Sequence, residues 1–144
     1  MDKRYKKHEE HLELKPGVSK LLIKLKKEKI ISVILSTSLH DKDVAQDNLA
    51  RKLEYFEICN PIDSYYATDD YPQSKGEFIE KILREKKLIK KDALMVGDSY
   101  EWDYKPAQDV GVDAILIDSE YEDQSKKTSN IIDQLGELDQ FLEN

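Results

Sequence analysis

A chain of 144 residues is long enough for one domain with a hydrophobic core and too short for two. Apolar residues make up 39% and charged residues 37%, which suits a soluble globular protein, and a formal charge of -7 argues against a dedicated nucleic-acid binder. The lone cysteine, Cys59, excludes an internal disulfide framework, and no apolar run approaches the roughly 20 residues that span a bilayer, so a cytoplasmic protein with no membrane partner is expected.

Residues 1–15 are almost wholly charged and carry no apolar signal core, so they read as a leader or the remnant of a cap helix ahead of a single core unit over 16–144. Pro16-Gly17 breaks the chain, and Val18, Leu21, Leu22 and Leu25 then recur at helical spacing with lysines on the wet face. Ile30 to Leu35 is an apolar, mostly β-branched run that predicts a strand covered on both faces, ending at Ser36-Thr37-Ser38. Residues 42–55 predict a helix with Ala45, Leu49 and Leu53 on one stripe. A short strand is expected around Glu57–Cys59, then an irregular stretch rich in Asp, Tyr and Pro. Residues 75–87 predict a helix burying Phe78, Ile79, Ile82 and Leu83. Ala93 to Val96 predicts a buried strand stopping at Gly97-Asp98-Ser99, followed by a helix near 104–110 and a strand at Ala114–Ile117. The tail, 128–143, has the spacing of an amphipathic helix through Ile131, Ile132, Leu135, Leu138 and Leu142.

Strands alternating with helices in this way predict βαβ units and a mostly parallel sheet. Ligands of such sheets sit outside the carboxyl ends of the strands, which directs attention to Ser36–Ser38 and to Asp98–Ser99.

Three groups of residues carry candidate chemistry. Asp98 ends a buried strand, and Asp103 follows within reach of the same pocket if the loop folds back; two carboxylates there suit Mg²⁺. Equally, Asp98 could start an Asx-turn and Asp103 could cap the next helix. Ser36 and Thr37 could hold a phosphate at a strand-to-helix junction, or one of the hydroxyls there could cap the helix. Lys75 sits at a helix start, where the macrodipole mildly disfavours a cation, and an anionic ligand would explain it; an exposed surface lysine is the plainer alternative.

The order of these features resembles motifs two to four of haloacid-dehalogenase-like hydrolases: a strand with Ser/Thr, a Lys at a helix start, then Val96-Gly97-Asp98-Ser99 with Asp103, Ala107, Gly111 and Asp118. The resemblance covers roughly 12–118 and implies a three-layer α/β/α, Rossmann-like fold. It further implies a Mg²⁺-dependent phosphatase acting on a small phosphomonoester through an aspartyl-phosphate. In that reading Ser36, with Thr37 beside it, contacts the phosphoryl group, Lys75 offsets its charge, and Asp98 and Asp103 position the metal, Asp98 directly.

One departure is large. The family's first strand, central in its sheet, ends in Asp-x-Asp and carries the nucleophile, but the sequence before Pro16 contains no apolar strand. Asp41-Lys42-Asp43 lies past Ser36 and reads as a capping cluster. Burying about four apolar side chains on such a strand contributes roughly 6–12 kcal/mol, comparable to a domain's net stability of about 5–15 kcal/mol. Three outcomes are open: a missing N-terminal segment completes the sheet, a second chain does so, or the flanking strands close directly. The activity expected of this chain is accordingly absent or greatly reduced, with a non-catalytic phosphate-binding or protein-interaction module as the alternative. A receiver-type signalling domain fits less well, because here the Ser/Thr strand precedes the Gly-Asp strand.

Overall fold

The computed structural model describes residues 17–37, 41–58, 60–118, 128, 130–133 and 135–138. Residues 1–16, Ser38, Cys59 and Leu142, to which several expectations refer, lie outside them.

Helix α1 (Val18–Lys27) starts after Gly17, whose φ of 82° is the left-handed conformation that glycine adopts without strain. It buries Leu21, Leu22 and Leu25 and ends in a lysine-rich last turn that suits the negative end of the helix. Strand β1 (Val33–Thr37) follows, displaced from the expected run. Ile30 and Ile31 are exposed and precede the strand, and Ser36 and Thr37 belong to it. Neither hydroxyl therefore caps helix α2 (Lys42–Tyr55), which begins several residues later with Asp43 in its first turn.

Of the strand expected around 57–59, Glu57 and Ile58 are not extended into a sheet, and Cys59 lies outside the described residues. Ile58 turns back so that its N–H bonds to Leu53 O at 3.0 Å, and its side chain joins the core. The strand comes instead at β2 (Ser64–Thr68), within the stretch that had looked irregular. Tyr and Thr favour extended backbone, and this segment pairs in parallel with β1 along its whole length.

Helix α3 (Gln73–Lys86), β3 (Leu94–Gly97), the short helix α4 (Lys105–Asp109) and β4 (Asp113–Ile117) follow the expected order. The tail departs from expectation: Ile131–Ile132 form a short strand, β5, parallel to β4, and Leu135–Glu137 make a single 3-10 turn. The β4 edge explains this, since Leu116 N–H donates to Asn130 O and Asp118 N–H donates to Ile132 O. Satisfying those groups outweighs a helical periodicity that two adjacent isoleucines serve poorly.

Two parallel sheets result, β1-β2 and β3-β4-β5, with helices on both faces. On β4 the side chains alternate: Ala114 meets Ile79, Leu83 and Ala107 of α3 and α4, while Ile115 meets Leu21 and Leu25 of α1. A third cluster joins Leu22 of α1 to Leu49 and Leu53 of α2 beneath β1 and β2. The arrangement is the expected α/β/α sandwich. Among the described residues β1 pairs only with β2, and β3 only with β4, so the two strands do not close on each other.

Candidate functional site

The carboxyl ends of β1 and β3 open into one cavity of about 490 Å³. Its walls include Ser36 and Thr37 from β1, Lys75 from the first turn of α3, and Asp98 and Asp103 from the segment after β3. All five residues singled out in the sequence are thus brought together. Leu35, Met95, Val96 and Ile117 supply an apolar side, and Trp102 also lines the cavity.

How Asp103 gets there is a matter of local backbone. Tyr100–Tyr104 form one π-helical turn, with the Tyr104 N–H donating to Ser99 O at 3.1 Å. A π turn is wider than an α turn and is found disproportionately at functional sites. Here it folds residue 103 back over the strand end, and its carboxyl lies against Gly97. A Cβ at Gly97 would fall 2.3 Å from Asp103 Oδ2 and 2.4 Å from its Cβ and Cγ, so only glycine leaves room for that side chain. The cap of this turn is Ser99, whose Oγ accepts from Trp102 N–H at 3.2 Å, and α4 starts from Tyr104 without a side-chain cap, so Asp103 does not cap that helix.

Both carboxylate oxygens of Asp103 are engaged. Oδ2 accepts from Ser99 N–H at 3.2 Å, and Oδ1 pairs with the Lys75 ammonium. The pair is well buried, with Asp103 5% and Lys75 8% exposed. This accounts for a cation in the first turn of α3: a fixed carboxylate compensates the unfavourable macrodipole. Gly76 makes the approach possible, because a Cβ there would meet Pro106 O at 2.8 Å and Val110 Cγ1 at 3.1 Å. Gly76→Ala is therefore expected to push α3 off α4 and to cost about 1–3 kcal/mol by overpacking, measurable as a shift of the urea midpoint at unchanged slope.

Thr68, at the end of β2, was not anticipated. It is 3% exposed and its hydroxyl lies 3.2 Å from that of Thr37, tying one wall residue to the neighbouring strand. Its sequence signal is a Thr ending a strand beside Thr37, in a segment without the aliphatic run that marks a strand. The Tyr-rich segment does not line the cavity. Tyr65 packs into the α2 cluster, Tyr66 tilts against Phe78 at 6.0 Å, and the exposed Tyr71 donates to Glu77 Oε2 at 2.6 Å. That bond to Glu77 raises the Tyr71 pKa above 10.0.

The donor set suits magnesium in a limited way. Among the described residues no three His, Cys, Asp or Glu side chains converge as a cage. Asp98 is exposed at the cavity mouth, and the nearby ammonium is already neutralised by Asp103. One carboxylate, completed by water and phosphate oxygens, is a mode in which Mg²⁺ is commonly bound.

The family model for haloacid dehalogenase-like hydrolases matches residues 1–117. Among solved structures, an uncharacterized protein from Listeria monocytogenes serotype 4b is 21% identical, with a TM-score of 0.72 over 90% of this chain and 79% of that one. A HAD phosphatase from Thermococcus onnurineus is 20% identical, with a TM-score of 0.73 over 95% of this chain. A putative HAD-hydrolase from Bacillus subtilis, described as bound to magnesium, is 16% identical with a TM-score of 0.78 over 97% of this chain. This chain spans only 61% and 60% of the lengths of those last two proteins. The search of curated proteins gives no match. Sheet, helices and matched sequence agree: the chain belongs to the haloacid dehalogenase-like hydrolase family.

Proposed function

We propose that the cavity holds the phosphoryl group of a small phosphomonoester together with Mg²⁺, and that residues 1–144 alone do not hydrolyse it. The observation that carries this reading is the meeting of Ser36, Thr37, Lys75, Asp98 and Asp103 around one opening at the strand ends. Ser36 Oγ–H and Thr37 Oγ–H donate to phosphoryl oxygens, and Lys75, whose charge Asp103 already compensates, offers a further N–H donor from the cavity wall. Asp98 is the direct metal ligand. Asp103, with both oxygens engaged, holds Lys75 and Ser99 in place and meets the metal at most through water. A bound Mg²⁺ would act as a Lewis acid on the phosphoryl oxygens.

Complete chemistry of this type needs a carboxylate placed to attack phosphorus in line and form an acyl-phosphate. Asp98 is assigned to the metal and Asp103 is held by Lys75, so neither is available for attack. Purified chain is therefore expected to release no p-nitrophenol from p-nitrophenyl phosphate above the uncatalysed background, with or without Mg²⁺. Orthovanadate, titrated calorimetrically, should still bind saturably and more tightly with Mg²⁺ present. Robust metal-dependent turnover would mean that a nucleophile lies among residues given no such role here. Absence of vanadate binding would remove the phosphoryl reading altogether and leave an interaction module.

A further inference from the structure

We propose that the outer edge of β2 is a self-association surface held closed by Gln46, whose side-chain carboxamide takes the place of one residue of a further parallel strand. Gln46 Nε2–H donates to Tyr65 O at 2.9 Å, and Ala67 N–H donates to Gln46 Oε1 at 2.8 Å. In a parallel ladder a bonded residue donates to one C=O of its neighbour strand and accepts from the N–H two residues further on. The carboxamide makes that same pair of bonds, opposite Tyr66. Only one orientation of the amide allows it, since turning it over would face donor with donor and acceptor with acceptor.

The placement follows from local structure. Strand β1 takes one side of β2 along its whole length, and the backbone groups of Tyr65 and Ala67 that meet Gln46 turn to the other. Among the described residues no strand pairs on that outer side. Gln46 follows the buried Ala45 in α2, and Leu49 and Leu53 fix that helix in a cluster that also holds Tyr65. A half-buried side chain on a fixed helix thus reaches the strand edge.

The edge needs closing because little else on it resists pairing. Ser64-Tyr65-Tyr66-Ala67-Thr68 favours extended backbone and contains no charge, Pro or Gly, the residues that commonly keep an edge strand from adding a neighbour. An uncharged segment of this kind is complementary to itself. Under two-fold symmetry two copies pair antiparallel about Tyr66, with the outward groups of Tyr65 and Ala67 meeting across the axis. The fitting occupant is therefore a second copy of this chain, and the carboxamide stands where its backbone would lie.

Gln46, Tyr65 and Ala67 are not among the residues lining the cavity, so the inference does not rest on the phosphoryl reading. Sedimentation velocity over a concentration series tests it. Wild type should remain monomeric. Gln46→Met keeps side-chain length and helix propensity but has no amide. It should self-associate at least tenfold more tightly than wild type, with amide exchange at 64–68 slowed in the associated form. Gln46→Glu also gives up the bond to Tyr65 O, but it sets a charge at the edge and should stay monomeric. Urea midpoints of both variants separate this from simple destabilisation, which would drive association in both. If Gln46→Met does not fold, Gln46→Asn, one methylene too short to reach both groups, carries the same expectation. A monomeric Gln46→Met, equal association of the Met and Glu variants, slowed exchange only outside 64–68, or a wild type already paired through 64–68 would overturn the proposal.

Discussion

Replacing Asp103 by alanine is expected to cost about 3–5 kcal/mol of folding stability, the range found when one partner of a buried ion pair is removed. The loss comes less from the attraction given up than from what is left behind. Lys75 is almost wholly buried, and without Asp103 its ammonium would sit in the protein without a carboxylate beside it. The Ser99 N–H would lose its acceptor as well. Lys75→Met added to Asp103→Ala should recover most of the deficit, because the stranded charge is removed and the methionine fills a similar volume. Urea unfolding of the wild type, both single variants and the double variant closes the cycle. An Asp103→Ala cost below about 1 kcal/mol, as for an exposed pair, would show that solvent reaches the pair and that it does not organise the cavity.

Much of this fold could be read from apolar spacing. The runs at 33–35, 94–96 and 114–117 are short, β-branched or apolar throughout, and lie between amphipathic helices, which leaves little besides a parallel sheet covered on both faces. Ser64–Thr68 escaped because its strand character rests on Tyr and Thr at partly buried positions, with no aliphatic run to mark it. Ile131–Ile132 escaped because apolar residues at such spacing suit a helix as well as they suit an edge strand, and only the open β4 edge decides. The site divides along the same line. Which residues gather at the strand ends follows from the order of elements, since each lies just past a strand or at a helix start. What they do to one another does not, because the Lys75–Asp103 pair spans 28 positions and depends on a π turn that no local propensity announces. The sequence offers Asp103 as a second metal position; its pairing with Lys75 is visible only in space.

Gly97→Ala is the sharper test of that arrangement, and it is expected to cost about 3 kcal/mol or somewhat more, at the upper end of what overpacking does. The added methyl would not meet the tip of a long side chain that can swing aside. It would meet Oδ2, Cγ and Cβ of Asp103 at 2.3–2.4 Å, and that Cβ is fixed by the π turn through the Tyr104 and Asp103 N–H bonds to Ser99 O. Relief therefore requires the turn itself to move, which carries Asp103 away from Lys75. Two readouts should change together: the urea midpoint falls, and orthovanadate affinity drops at least tenfold as the cavity loses its ordered wall. In Asp103→Gly, which removes Cβ along with the carboxyl group, the obstruction is gone, so Gly97→Ala should be far cheaper in that background, with a coupling of about 1–3 kcal/mol between the two positions. Additive costs would mean that the glycine answers to the strand and not to the carboxylate folded over it.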